Sequence, residues 1–408
     1  MAPITTGSVA AQAKANARPT TQVAGINVPP AQTWNYLHIN DTSFEVPTVS
    51  SKGAVYQALS ALLGDLRTGL GPQADAWAQG AAKDARYVEV RRGATADPIV
   101  VTVNASMSEA ANCGVLVREG ATAHVVVAVT DRAIETERRY DLAATDAPAH
   151  TSAALVRIVV ERGAEVRLTE VVAANDDCQH LEGVALQVHD GAHVEVRQYA
   201  LGGAKVAFGL DADLVGAHSS LDLTMRYRAG GRELLDVNHV VRQRGRGSRS
   251  NLAASGLLAG AAHKTMRETI DLVHGAKGAK GNELETVLVT GDDVVNKTLP
   301  TITCDEEDVA GNHGATIGSI GPDQLAYLAK AGLSADDAAA LFERAIFDDA
   351  VIHAQVPVAR DAAIDRAVEL LGAEVAYDLS EAFDQSDGTT APTAQGHSTR
   401  QSEEGTHA

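Results

Sequence analysis

Cysteine and aromatic residues are scarce in this sequence. Its 408 residues include 3 cysteines, and only 4% of the residues are aromatic. Cys113, Cys178 and Cys304 lie far apart, and no CxxC or Cys/His spacing typical of a zinc site occurs. A disulfide framework is therefore not expected, and a reducing cytoplasm is the predicted compartment. With so few aromatic residues, the core must be built from Val, Leu, Ile and Ala.

Positive charge and long apolar runs are also lacking. The chain has 34 Lys and Arg against 53 Asp and Glu, a net charge of −19. Phosphate backbones and anionic lipids repel such a chain, so neither nucleic acid nor a membrane is a predicted partner. The one basic cluster, residues 242–249, has no interleaved aromatic residues and favours a solvated strand edge. No signal peptide and no apolar run of roughly 20 residues is found.

Recognisable catalytic motifs are missing as well. There is no GxSxG, no phosphate-cradling GxxxxGK[ST], no HExxH, and no GxGxxG between a strand and a helix. Their absence favours a non-catalytic scaffold or binding surface over an enzyme. Two alternatives stay open: a carbohydrate-active enzyme such as a polysaccharide lyase, and a protein that binds metal by itself.

The N-terminal part of the sequence divides into two segments. Residues 1–30 show no periodicity and predict a flexible leader. Residues 31–86 predict an N-terminal helical region, because apolar residues recur at spacings of three and four over 53–66. A second, Ala-rich helix is expected over 73–83.

The middle of the chain, residues 87–320, carries internal repeats. The segment VRIVVERGAEVRLTEV (156–171) aligns without a gap on VALQVHDGAHVEVRQY (184–199), and the turn glycines Gly163 and Gly191 are 28 residues apart. Each unit is a strand, a turn and a strand that must stack on its neighbours to bury its apolar face. We therefore predict a mainly β fold, a right-handed parallel β-helix flanked by helical regions. A β-sandwich is the alternative.

Helical spacing returns over residues 321–375. Ser334 and Asp337 have the spacing of a capping box at the start of one helix. A second helix is predicted from about Val358 to Leu371, ended by Gly372. Residues 376–408 are polar and predict a disordered tail.

The 35 residues from Leu299 to Leu333 read LPTITCDEEDVAGNHGATIGSIGPDQLAYLAKAGL. This order of a Pro-containing strand, an acidic step, His-Gly-Ala-Thr and an Asp-Gln-Leu helix start resembles the signature of the SufB/SufD family. Thr33-Trp34-Asn35-Tyr36 resembles the N-terminal Trp motif of SufD-type members. The resemblance covers about residues 30–375.

The resemblance implies a non-catalytic subunit of an iron–sulfur cluster assembly complex. In this family a SufB-type and a SufD-type chain pair through their β-helices, and each carries a SufC ATPase on its C-terminal helical domain. The short chain, the Trp motif and the few cysteines favour a SufD-like subunit; a SufB-like primary scaffold is the alternative. No stably bound cofactor is expected, only transient iron or a nascent cluster at the shared interface. Alone, the chain could form a homodimer.

Individual site residues follow from the same resemblance. His313 matches the family's interface histidine and would offer an imidazole nitrogen to iron. Many SufD-type members have Cys two residues earlier, where this chain has Gly311. Cys304 is a weaker candidate ligand. The residue chemistry alone also fits a strand edge with solvated acids and one hydrogen-bonded histidine.

Docking of the ATPase is expected on the helix that begins at Ser334. Its outer face is predicted to present Leu341, Phe342 and Ile346 to SufC. The alternative is that these three side chains pack the core of their own domain.

Overall fold

The computed structural model describes residues 19–30, 35–49, 57–131, 148–319, 322–375 and 378–379. The strands are β1 Thr20–Val23, β2 Phe44–Pro47, β3 Ala85–Val90, β4 Ile99–Asn104, β5 Ala110–Val117, β6 Thr122–Thr130, β7 His150–Val160, β8 Glu165–Ala173, β9 Cys178–Val188, β10 His193–Gly202, β11 Lys205–Leu214, β12 Ser220–Ala229, β13 Leu234–Gln243, β14 Arg249–Leu258, β15 His263–Leu272, β16 Lys280–Val289, β17 Val295–Cys304 and β18 Ala310–Gly318. The helices are α1 Ala61–Gly64, α2 Pro72–Ala82, α3 Pro322–Lys330, α4 Ala335–His353 and α5 Pro357–Leu371, and a 3-10 turn covers Asn35–Leu37.

Strands β3 to β18 form a solenoid of parallel coils. The odd-numbered strands β3 to β17 make one eight-stranded sheet, here called sheet 1, and the even-numbered strands β4 to β18 make another, sheet 2. Each coil adds one strand to each sheet, and Val, Leu and Ala side chains fill the space between the sheets. The predicted mainly β solenoid is confirmed. A sandwich of antiparallel sheets is ruled out because these strands pair in parallel.

Glycine makes the turn between the two strands of a coil. Gly163 and Gly191 have φ of 63° and 62°, a left-handed conformation that side chains rarely tolerate. The turns also stack, since the amide of Gly163 donates to the carbonyl of Asp190 at 2.9 Å. The repeat therefore places glycine where the chain reverses.

The segment predicted as a loose leader is partly structured. Thr20–Val23 pairs antiparallel with Phe44–Pro47. Val23 and Ile26 are buried against the outer face of sheet 1, together with Leu155 and Leu181. The prediction of a flexible leader is thus wrong for residues 19–30, and residues 1–18 lie outside the described part.

The first predicted helix is mostly not formed. Within 57–66 only Ala61–Gly64 is helical, and residues 50–56 lie outside the described part. Leu63 instead packs with Leu116 and Val159 on sheet 1. The apolar residues spaced at three and four thus belong to a mostly non-helical segment that packs on sheet 1. The second helix forms as predicted, as α2.

The aromatic motif near the N-terminus is described only in part. Trp34 lies outside the described residues. The side chain of Tyr36 is 72% exposed.

The C-terminal helices cover the outer face of sheet 2. Ile346 and Phe347 of α4 and Ala363 of α5 form one buried cluster with Val171 and Tyr199 of the sheet. The predicted capping box is present, and α5 ends just before Gly372 as expected. Residues 376–377 and 380–408 lie outside the described part. No helix in the described ranges is both long and apolar enough to cross a bilayer.

Gly209 tests how closely the N-terminal segment packs on sheet 1. A Cβ at this position would lie 2.2 Å from the Leu70 nitrogen and 2.4 Å from the Gly69 carbonyl carbon. We expect Gly209→Ala to lower the free energy of unfolding by about 1–3 kcal/mol, as overpacking does. Denaturant titration followed by circular dichroism measures this. Gly318→Ala is the control because its Cβ would meet nothing within 4 Å; equal stability of both variants would contradict the close contact.

Candidate functional site

The last coil is the open end of the solenoid. Strand β17 pairs with β15 and strand β18 pairs with β16. In the described part of the chain no strand lies on their other sides. Both predicted ligand residues lie here: Cys304 ends β17, and His313 is the fourth residue of β18.

His313 faces the inside of the solenoid. It pairs in register with Glu283, and Ile317 pairs with Val287, a member of the interior core. Since strand side chains alternate, residues 313 and 317 share the interior face. His313 is exposed because β18 is the last strand, and its ring makes no hydrogen bond within the described ranges.

Glu283 carries a buried carboxyl group. Its side chain is on the interior face beside His313 and the residue is 3% exposed. Among the described residues, neither of its carboxyl oxygens has a hydrogen-bond partner. Burial, and secondarily the charge of Glu268, raise the pKa of Glu283 from 4.5 to about 9. The group is therefore neutral at neutral pH, and its oxygen atoms accept no hydrogen bond from a described residue.

Other polar side chains lie inside the solenoid next to Glu283. Nε2 of Gln198 donates to Oε2 of Glu170 over 2.9 Å, so Oε1 of Gln198 accepts from Nε2 of His239 at 2.8 Å. The other ring nitrogen of His239 lies 3.3 Å from Oε1 of Glu268. Burial raises the pKa of Glu170 well above its ordinary value. These contacts link successive coils toward the open end.

Three further polar side chains lie inside the solenoid in earlier coils, farther from the open end. His180 lies 2.8 Å from Oγ of Ser152 and 2.9 Å from Oε2 of Glu182. Burial lowers the pKa of His180 to about 3 and raises that of Glu182 to about 8. Both are therefore uncharged near neutral pH, so these two groups add hydrogen bonds to the interior without buried charge.

Cys304 does not join His313 in a ligand cluster. Its Sγ donates to the carbonyl of Glu306 at 3.1 Å, and the residue is exposed. Gly311, where the sequence resemblance implied Cys in many SufD-type members, faces the interior, and a Cβ there would lie 3.1 Å from Cγ2 of Ile302. The close packing of Ile302 thus favours glycine at this position.

One set of metal-ligating side chains does come together, at a different place. Ligand atoms of Asp131, Asp177 and Cys178 lie within 4.8 Å of one another, the only such group of three or more in the described residues. Burial raises the pKa of Asp131 to about 6 and also raises that of the Cys178 thiol. The sequence did not indicate this cluster because its members are far apart in the chain: Asp131 directly follows β6, whereas Asp177 and Cys178 lie at the start of β9.

Helix α4 presents part of the predicted docking face. Leu341 and Phe342 are 53% and 54% exposed, whereas Ile346 is 7% exposed and packs on sheet 2. Phe342 lines a groove with Tyr327 of α3 and Leu288 of β16. An exposed apolar surface therefore exists on α3 and α4. Ile346 is on the opposite, buried side of α4, where it packs against sheet 2.

The basic cluster of residues 242–249 is engaged within the fold. Arg242 pairs with Asp211 at 2.5 Å and Arg244 with Asp213 at 2.9 Å. These neighbouring strands neutralise half of the arginines that could have contacted phosphate.

His263 and His274 are exposed, and His239 is buried.

The fold and its last coil define a class: a parallel β-solenoid with helices on its outer face and an open terminal coil. A family model described as SUF system FeS cluster assembly, SufBD core domain, matches residues 100–346. This match covers more than half of the chain, which therefore belongs to the SufBD family of iron–sulfur cluster assembly proteins.

Curated relatives agree with the family match. Iron-sulfur cluster assembly SufBD family proteins of Mycobacterium leprae and Mycobacterium tuberculosis are each 24% identical over 218 residues, 53% of this chain. A Synechocystis protein of the same description is 30% identical over 97 residues, 24% of this chain and 20% of its own length. The aligned region spans 24% and 25% of the two mycobacterial proteins.

Glu283 makes stability depend on pH in a defined window. Its pKa is about 9 in the folded protein against an ordinary 4.5, so the unfolded chain loses its proton first as pH rises. The contribution of Glu283 to stability is therefore full below about pH 4.5 and falls up to about pH 9. As pH rises through this window, we expect the free energy of unfolding of Glu283→Gln to increase relative to that of the wild type by up to about 1.4 kcal/mol per pH unit.

Denaturation at several pH values between 5 and 9 measures this difference. Glu374→Gln, a change at an exposed carboxylate, is the control. A difference between Glu283→Gln and wild type that stays constant with pH would show that Glu283 is already ionised in the folded protein.

Proposed function

We propose that this chain is a SufD-like, non-catalytic subunit that holds iron or a nascent iron–sulfur cluster transiently at its last coil. The observation that carries the proposal is the carboxyl group of Glu283, which is buried beside His313 and has no hydrogen-bond partner in the part of the chain that the structure describes. A buried polar group without a hydrogen bond costs free energy, and an unmet carboxyl commonly marks a missing ion or water.

The ligand chemistry suits iron as cargo. A carboxylate oxygen and an imidazole nitrogen are both ligands that iron accepts. Because Glu283 is protonated at neutral pH in the iron-free chain, iron binding would release its proton. Two ligands from one chain leave most coordination positions open. We therefore expect no stable iron on the isolated chain, and we expect a partner to supply the remaining ligands. Cys304 could contribute only after its Sγ leaves the carbonyl of Glu306.

The partner would bind along the open edge. Strands β17 and β18 present unpaired backbone groups on one side, and such edges readily pair with another strand. A SufB-type chain is the proposed partner in the cytoplasm, and a homodimer is the alternative when that chain is absent. A SufB-like role for this chain predicts stable cluster binding without a second family member, so purification distinguishes the two.

The ATPase would bind at the other exposed surface. Leu341, Phe342 and Tyr327 give an apolar patch on α3 and α4, and α4 packs on sheet 2 through Ile346 and Phe347. A displacement of α4 on binding of the ATPase would therefore be transmitted to sheet 2, which contains His313. This contact supports docking of a SufC-type ATPase at the patch.

Removal of either proposed ligand should reduce iron retention. The measurement is iron per complex after co-purification with a SufB-type chain and a SufC-type ATPase, followed by anaerobic reconstitution. We expect His313→Ala and Glu283→Gln each to lower retained iron by about tenfold or more, as loss of metal-site groups does. Both variants should still co-purify with the partners.

A control substitution at another histidine distinguishes loss of an iron ligand from a nonspecific effect of replacing a histidine. His263→Ala alters an exposed histidine at the start of β15 and should retain wild-type iron. Unchanged iron in both His313→Ala and Glu283→Gln would remove the last coil from the proposed function.

The docking surface on α4 gives a separate prediction. Phe342→Asp puts a charge into the apolar patch, so we expect at least about a tenfold loss of affinity for the ATPase subunit, as for a central interface anchor. Isothermal titration with the purified ATPase measures it. Glu374→Ala, at an exposed site beyond α5, should bind normally; normal binding by Phe342→Asp would place the ATPase elsewhere.

A further inference from the structure

A row of side-chain hydrogen bonds crosses four strands of sheet 2 on its outer face. Nδ2 of Asn312 donates to Oδ1 of Asn282 at 2.9 Å, and Nδ2 of Asn282 donates to Oδ1 of Asn251 at 2.9 Å. Nδ2 of Asn251 in turn donates to Oδ1 of Asp222 at 2.7 Å. The four residues pair in register on β18, β16, β14 and β12 and are here called the amide ladder.

Asp222 fixes the direction of the whole ladder. An amide can turn over and exchange its donor and acceptor ends, but a carboxylate only accepts hydrogen bonds. Asn251 must therefore donate to Asp222, which leaves its carbonyl for Asn282, and the same holds at the next step. The ladder thus ends at the open edge with the carbonyl oxygen of Asn312, which has no donor within the described residues.

The same edge begins at an acidic turn. Asp305, Glu307 and Asp308 are exposed between β17 and β18, and Asp308 lies four residues before Asn312. A strand that approaches β18 therefore meets negative charge as well as an empty acceptor.

We propose that the strand that pairs with β18 carries a cationic hydrogen-bond donor, Lys or Arg, opposite Asn312. This inference rests on the proposed function in one respect, that the open edge is the assembly interface. It adds the chemistry of the partner: a basic edge strand that continues the amide ladder and offsets the acidic turn. A charge-assisted hydrogen bond is stronger than a neutral one.

A second copy of this chain fits the edge poorly. A copy placed with Asn312 opposite Asn312 brings two carbonyl oxygens together. The other outward-facing residues of β18 are Ala310, Gly314, Thr316 and Gly318, and of these only Thr316 carries a donor. Thr316 lines the groove beside Tyr327.

Synthetic strand peptides test the proposal on the full chain. Three labelled nine-residue peptides of alternating Thr and Val differ only at the central residue, which is Lys, norleucine or Glu. Binding is measured by fluorescence anisotropy. We expect the Lys peptide to bind at least about tenfold more tightly than the norleucine peptide, as a hydrogen bond to a charged group gives. The Glu peptide should bind most weakly.

Two variants connect the preference to the ladder. Asn312→Ala removes the acceptor and should abolish the difference between the Lys and norleucine peptides. Asp222→Asn lies three strands away, about 14 Å, and lets the amides turn over, so it should reduce the difference. Asp271→Asn on β15 removes the same charge outside the ladder and should leave the difference unchanged. Thermal unfolding checks that every variant is folded.

Several results would overturn the proposal. These are undetectable binding of the Lys peptide, equal binding of Lys and norleucine peptides, or a Lys preference that survives in Asn312→Ala. A wild-type chain that sediments as a dimer and becomes monomeric in Asn312→Ala would make a second copy the occupant. The comparison that decides is between the Lys and norleucine peptides, whose side chains include no carboxylate, imidazole or thiol, and it is made without iron. A failure of iron retention at His313 would therefore leave the peptide result standing, and a failure of the peptide result would leave iron retention standing.

Discussion

Parallel pairing in exact register between successive coils is the constraint on which the other features depend. From β14 to β18 each paired residue lies beside one residue of the coil before it, so identical face assignments repeat from coil to coil. Glu283 and His313 lie side by side on the interior face, and Asn282 and Asn312 lie side by side on the outer face. A slip of one residue would exchange the two faces. One register therefore sets both the proposed ligand pair and the amide ladder.

The same packing directs interactions to one end of the solenoid. The N-terminal segment covers part of sheet 1, and α4 and α5 cover part of sheet 2. Backbone groups of the central strands are paired on both sides. The last coil has strand neighbours on one side only within the described residues. Partner binding and metal binding are thus both expected where the chain's own structure stops supplying neighbours.

Sequence reasoning predicted the features that depend on local pattern. The repeat placed Gly163 and Gly191 at turns, and Ser334 with Asp337 began a helix, because each depends on residues a few positions apart. The 53–66 periodicity failed because Leu63 is held by sheet 1 and not by helix neighbours. Glu283 beside His313 could not be predicted, since their contact depends on a register between residues 30 positions apart.

The proposed ligand pair and the open edge of the sheet belong to one coil, so binding at one would affect binding at the other. A strand added to β18 would bury His313 and lower the local dielectric around Glu283, and a cation there would then attract the carboxylate more strongly. Thermodynamic linkage makes this reciprocal: whatever factor the partner adds to metal affinity, metal adds to partner affinity. A chain that holds iron weakly alone and firmly when paired needs no moving part, because pairing itself completes the site.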